Sequence, residues 1–292
     1  MDINYELYKV FYYVADTLSF SEASKQLFIS QSAVSQSIKA LEKKLDQVLF
    51  IRSTKKVQLT PEGEILLRHI EPAINLIKRG ESQIMETAST GGQIRIGASD
   101  TICRYFLVPY LERFHKAFPN AHIKVTNATS IKCTELLENG QVDLIVANYP
   151  NVYLGSLASF RKIRDFHDVF IANQSFAELQ GKKLSLKELQ RYPIIMLDRK
   201  STTSEFLHSL FQQHQLDLVP EIELSSNDLL IDLARIGLGI AFIPDYCVPK
   251  NSDQLFVVQP EEPLPKRQLV AAWNGHVPVS RATQAFLDYF NA

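Results

Sequence analysis

The chain has 292 residues, 46% of them hydrophobic, which is enough to bury the cores of two domains. Its 31 basic and 32 acidic side chains leave a net charge of −1, which excludes a surface coated throughout in nucleic acid but leaves room for one local basic patch. Cys103, Cys133 and Cys247 form neither a CxxC pair nor a Cys/His cluster with zinc spacing, so neither a disulfide framework nor a metal site is expected.

The opening residues Met1 to Tyr5 lack the basic and apolar regions of a signal peptide, and no apolar run reaches the roughly 18 residues of a membrane span. The expectation is a reduced, cytoplasmic chain with no membrane partner. Leu7, Val10, Phe11, Val14 and Leu18 recur at helical spacing and predict a first helix from Tyr5 to Asp16. Ser19 and Glu22 have capping-box spacing and predict a short helix from Glu22 to Leu27. Phe28-Ile29-Ser30 breaks it, and Ser30 caps a third helix from Gln31 that buries Val34, Ile38 and Leu41.

The opposite face of that third helix carries Gln31, Ser32, Ser35, Gln36 and Lys39. Two helices joined by a short turn, the second bearing amides and hydroxyls, make a helix-turn-helix; Gln pairs bidentately with adenine, and Ser serves several bases. From Lys39 to Lys56 six basic residues (Lys39, Lys43, Lys44, Arg52, Lys55, Lys56) stand against Glu42 and Asp46. Leu49 to Arg52 and Val57 to Leu59 alternate like two short strands around a basic tip, which predicts a wing that meets phosphate.

Thr60-Pro61-Glu62-Gly63 is a helix start, with Thr as cap and Pro at the first helical position. The predicted helix runs from Pro61 to about Thr87. Leu66, Ile70, Ala73, Ile77, Gly80 and Ile84 follow a 4-3-4-3-4 spacing, a seam suited to dimerisation or, alternatively, to packing on the chain's own domain. Pro72 is expected to kink or divide this helix. After the joint Ala88 to Gly92, strands and helices alternate, which implies parallel sheets. Strands are predicted at Gln93–Ala98, Ile123–Val125, Val142–Ala147, Asp168–Ala172, Pro193–Leu197, Glu221–Leu224, Leu238–Ile243 and Gln268–Trp273. Helices are predicted at Ile102–Phe118, Ile131–Asn139, Ser204–His214, Asn227–Arg235 and Val279–Phe290.

Along nearly its full length the sequence resembles the LysR-type transcriptional regulators. The resemblance rests on Phe20 to Leu27, Ser30 to Ile38, Leu41-Glu42, Leu49-Phe50, Arg52 and Leu59 to Gly63. It continues through Ile96 to Ser99, Pro109 to Pro119, Leu137 to Leu144 and Gly237 to Ile240. Pro72 and Ser24 depart from the family pattern, the first within a helix that is usually continuous.

What the resemblance implies is an α/β protein with an N-terminal winged helix-turn-helix, a long linker helix and a two-lobed effector domain similar to periplasmic solute-binding proteins. The expected boundaries are 1–60, 61–90 and 91–292, with lobe one at about 93–164 and 268–292 and lobe two at about 165–267. The implied partners are double-stranded DNA, a small-molecule effector, RNA polymerase and further copies of the chain. Those copies would form dimers through Leu66, Ile70, Ala73, Ile77 and Ile84, then tetramers. No cofactor is expected.

Gln31, Ser32, Ser35 and Gln36 are the expected base readers, and Lys39, Arg52, Lys55 and Lys56 the expected phosphate contacts. Arg52 has an alternative as an ion-pair partner of Glu42 or Glu62. For the effector, strands deliver Ser99-Asp100-Thr101, Thr129-Ser130 and Ser201-Thr202-Thr203 to helix starts, where unpaired N–H groups and hydroxyls favour anions or serve simply as caps. Asn148 is a further candidate, while Ser225, Ser226 and Asn227 read as a cap.

Asp100 beside such a site points to a zwitterion, amine toward Asp100 and carboxylate toward Thr129 or Thr202. Cys103 reads as a thiol sensor or a structural cysteine. The seven histidines form no HExxH spacing, no GxSxG or GxxxxGK[ST] occurs, and Gly237-Leu238-Gly239 lacks the rest of a dinucleotide fingerprint, so no enzyme is expected. A transport-type solute receptor would fit residues 93–292 taken alone.

Overall fold

A computed structural model describes residues 3–52, 56–85, 92–155, 158–249 and 254–291. It divides into two units, the first reaching Met85 and taking in Asn139–Gln141, the second holding the rest. The first unit opens with α1 (Tyr5–Thr17), α2 (Phe20–Leu27) and α3 (Gln31–Leu45). Each start is capped: Asn4, Ser19 and Ser30 accept from the backbone N–H of Glu6, Glu22 and Ala33. At α2 the helix begins two residues earlier than the spacing predicts. Only half of a capping box forms, because the Glu22 carboxylate pairs with Lys25 at 3.2 Å instead of reaching back.

Val34, Ile38 and Leu41 of α3 are fully buried with Phe11 and Val14. The Phe50 ring lies 5.4 Å from Phe11 and 5.9 Å from Phe20. Strands β1 (Phe50–Arg52) and β2 (Val57–Leu59) pair antiparallel as the wing. Helix α4 (Pro61–Met85) follows. Thr60 fixes its entry: the hydroxyl donates to Val48 O at 2.7 Å and accepts from Gly63 N at 3.0 Å. Gly63 is required there, because a Cβ would fall 2.3 Å from Leu49 O. Of the expected kink or division at Pro72, the division does not occur: α4 continues through Pro72 as one helix.

The second unit continues with β3 (Gln93–Ala98), α5 (Asp100–Ile102), a π-helical turn at Cys103–Leu107 and α6 (Val108–Ala117). Next come β4 (His122–Asn127), α7 (Ser130–Glu138), β5 (Leu144–Tyr149), β6 (Ala158–Phe166) and β7 (Asp168–Asn173). Then follow β8 (Lys183–Leu184), α8 (Leu186–Leu189), β9 (Ile194–Leu197), α9 (Thr202–Gln213) and β10 (Ile222–Leu224). The chain closes with α10 (Asn227–Arg235), β11 (Ile240–Pro244), β12 (Leu255–Pro260), β13 (Arg267–Asn274) and α11 (Arg281–Asp288).

Two sheets result, ordered β4-β3-β5-β13-β6 and β10-β9-β11-β7-β12-β8. The expectation of parallel sheets needs correction, since both are mixed. β13 runs antiparallel to β5 and β6, and β7 antiparallel to β11 and β12. Strands β6 and β12, absent from the sequence reading, supply much of the difference. The chain passes between the sheets twice, through His167 and through residues 261–266. The first sheet packs Ile94, Ile96, Leu144 and Val146 against Phe114 and Phe286. The second packs Ile194, Met196 and Phe242 against Leu207 and Phe211.

Candidate functional site

The expected nucleic-acid face lies on α3. Burying Val34, Ile38 and Leu41 turns Gln31, Ser32, Gln36 and Lys39 outward and leaves Ser35 half-buried. The Ser32 hydroxyl is 2.9 Å from that of Ser30, so the cap holds it. Arg52 lies 3.5 Å from Glu42 and over the Phe20 ring at 4.5 Å, the ion-pair alternative raised by the sequence. Glu42 is fixed in turn by the backbone N–H of Leu49. Lys56 is exposed, and Lys55 lies outside the described residues.

On α4 the seam divides. Leu66 and Ile70 pack against the winged-helix core, while Ala73, Ile77 and Ile84 are exposed. The alternative of packing on the chain's own domain therefore holds for the first two seam residues and does not extend to those three.

In the second unit, all nine predicted effector residues line one cavity of about 390 Å³. The helical run beginning at Asp100, together with α7, α9 and α10, brings its first turn to the cavity wall, where backbone N–H groups have no intrahelical acceptor. Ser99, Thr129 and Ser201 cap three of these starts. The Ser130 hydroxyl is buried and accepts from Asn148 N at 3.2 Å. On α10 only Ser226 acts as a cap; Asn227 is buried and donates to the Thr101 hydroxyl at 2.9 Å, and Ser225 joins the lining. Reading the three together as a cap is thus corrected.

Thr202 is the most constrained member. Its hydroxyl accepts from Arg267 Nη2 at 3.2 Å and from Asn148 Nδ2 at 3.4 Å, which leaves its own proton for the cavity. Thr203 accepts from Arg267 Nη1 at 3.1 Å. Arg267 is 1% exposed, paired with Asp168 at 2.7 Å and sandwiched by the Phe166 and Phe206 rings. Burial pushes the Asp168 carboxyl up, and the guanidinium beside it pulls it back.

Among the described residues no Lys or Arg lines the cavity, whereas Asp100 and Asp198 do. Sequence reasoning missed Arg267, Asp168, Asp198 and Tyr246. Arg267, Asp168 and Asp198 stand at strand ends and Tyr246 on the turn after β11, none beside a motif, and the only signal for Arg267 was a lone cation opening an apolar strand.

The cysteines carry no reactive signature. Cys103 is half-buried, donates to Asn127 Oδ1 at 3.3 Å, and is pushed by burial up to about 11. Burial pushes Cys133 up to about 12. Thiol sensing needs an accessible thiolate, and burial works against one at Cys103. Among the described residues no group of three His, Cys, Asp or Glu could hold a metal ion, and no helix is long and apolar enough to cross a membrane.

Residues 5–64 match the bacterial regulatory helix-turn-helix protein, lysR family, and residues 87–292 match the LysR substrate binding domain. The HTH-type transcriptional activator CmpR of Synechocystis sp. is 27% identical over 289 residues, covering 98% of this chain and 94% of that protein. A probable RuBisCO transcriptional regulator of Gracilaria tenuistipitata var. liui is 28% identical over 277 residues, covering 92% and 89%.

Among solved structures, a full-length OxyR variant of Pseudomonas aeruginosa superposes with a TM-score of 0.75 at 18% identity, covering 100% of this chain and 95% of that one. CbnR in complex with its target DNA gives 0.68 at 17%, covering 99% of both. With a winged helix-turn-helix before a two-sheet ligand domain and matches to both halves, the chain belongs to the LysR family of DNA-binding transcriptional regulators and carries an effector-binding domain rather than an enzyme's active site.

Proposed function

We propose that the 390 Å³ cavity is the effector site and that its ligand is a small zwitterion of amino-acid type. The observation that carries this reading is the Thr202 hydroxyl, whose lone pairs are taken by Arg267 and Asn148 and whose proton is left to donate. A carboxylate meets that donor and the free N–H groups of the α9 start, with the Arg267 charge behind them. An amine meets Asp100, and no Lys or Arg among the described lining residues repels it.

The test is a thermal-shift series of amino acids, their decarboxylated amines and their deaminated acids, with inorganic anions beside them. A true ligand at 100 times its Kd adds about 2.7 kcal/mol. Stabilisation by a zwitterion that Asp100→Asn and Thr202→Ala each abolish supports the reading. An acid lacking the amine that stabilises wild type and Asp100→Asn equally removes it.

For DNA, the same proposal assigns base reading to Gln31, Ser32, Ser35 and Gln36, and phosphate contact to Lys39, Arg52, Lys55 and Lys56. Gln31→Ala relaxes sequence choice by about 1–3 kcal/mol at one base pair; uniform weakening on every sequence would assign it a positioning role instead. The exposed part of the α4 seam supports dimerisation, and dimers associate further into tetramers. Ligand then changes subunit orientation, hence DNA bending and contact with RNA polymerase.

A further inference from the structure

The turn between α2 and α3 carries an aromatic side chain that the fold does not use. Phe28 is 94% exposed, and the next residue, Ile29, is 41% exposed. The Phe28 backbone sits in the left-handed region at φ 55°, ψ 36°, which closes α2 through N–H bonds from Phe28 and Ile29 to the last carbonyls of the helix.

That conformation disfavours any residue with a Cβ and is the natural place of glycine or asparagine. Leu18 and Asp46 end α1 and α3 in the same way, but Leu18 is about half covered and Asp46 is polar. At Phe28 a disfavoured backbone coincides with a ring that the described residues leave uncovered.

Its position says what would cover it. In a helix-turn-helix the first helix crosses the sugar-phosphate backbone and the second enters the major groove by its N-terminal end. Phe28 lies between them, two residues before the Ser30 cap of α3. We infer that Phe28 is a DNA-positioning residue, laying its ring on the deoxyribose faces at the edge of the groove that α3 enters. The contact is apolar, so it adds to affinity without adding to the count of neutralised phosphates.

The experiment uses the full chain and a duplex enriched from a random library by the wild type. Phe28→Asn keeps a residue that tolerates the left-handed backbone and removes the ring, while Phe28→Leu keeps apolar bulk. Binding is read by fluorescence anisotropy across a KCl series, fold by thermal melting, and association by sedimentation.

Phe28→Asn is expected to melt at or above the wild-type temperature and to bind about tenfold more weakly, with an unchanged slope of log K against log salt. Phe28→Leu falls between the two. Wild-type affinity in Phe28→Asn overturns the inference. So does a loss of affinity that comes with a lower oligomeric mass or a lower melting temperature, since the ring would then serve a subunit contact or the fold.

Discussion

Arg267 and Asp168 are both fully buried and 2.7 Å apart, so removing one charge strands the other in a low-dielectric interior. Arg267→Met is expected to destabilise the second unit by about 3–5 kcal/mol, and Arg267→Met with Asp168→Leu to recover much of that loss; urea unfolding followed by circular dichroism measures both. If the single variant unfolds like the wild type, the pair has no structural role. His208 on α9 titrates in the opposite sense to a salt-bridged histidine. Burial and Arg199 push it below its ordinary 6.5, so the unfolded chain takes up the proton first. The stability it contributes is present above about 6.5 and is lost as pH falls through the folded value, and His208→Gln should flatten that part of the stability–pH curve. At this scale the hydroxyls of the cavity were legible in the sequence, because Ser and Thr after a strand and before a helix advertise a helix start. Arg267 was not legible, because its partners Asp168, Thr202 and Thr203 lie 99, 65 and 64 residues away.

The entry of α4 shows how an element depends on one missing side chain. Gly63→Ala would drive a Cβ into Leu49 O, part of the backbone that leads into the wing. A loss of about 1–3 kcal/mol is expected from the forced shift, seen as a lower first thermal transition with the second unmoved. Helices α1, α3 and α10 were readable to within a residue or so because apolar period and cap agreed. The wing was readable because its alternation brackets a polar tip. The mixed pairing of the sheets was not, because strand direction depends on which distant strand lies alongside. β6 escaped for a local reason: Ser159, Arg161, Lys162, Arg164 and Asp165 dilute its apolar positions to Phe160, Ile163 and Phe166, which have no period of two.

Over the whole molecule, the two halves are expected to respond to different solution variables. Lys39→Ala should lower the slope of log K against log salt by about one while leaving ligand-induced stabilisation of the second unit unchanged. The uncovered stretch of α4 is the proposed subunit contact: Ile77, Ile84 and Met85 are 58, 86 and 77% exposed, an apolar stripe that a lone chain would leave in water. Ile77→Glu combined with Ile84→Glu is expected to shift the sedimentation mass toward the monomer, and an unchanged mass would place the subunit contact elsewhere.

The order of β13 in its sheet also bears on how the chain is made. β13 lies between β5 and β6, yet nearly a hundred residues that build the other sheet separate it from β6. During synthesis β6 therefore emerges without its neighbour, and β5 keeps one open edge, until β13 has left the ribosome. The second sheet, complete once β12 has emerged, is free to fold first, and the first sheet closes only after β13 has followed it. A ribosome stalled before Arg267 would hold one finished lobe and one open-edged lobe, the state in which this regulator most needs a chaperone.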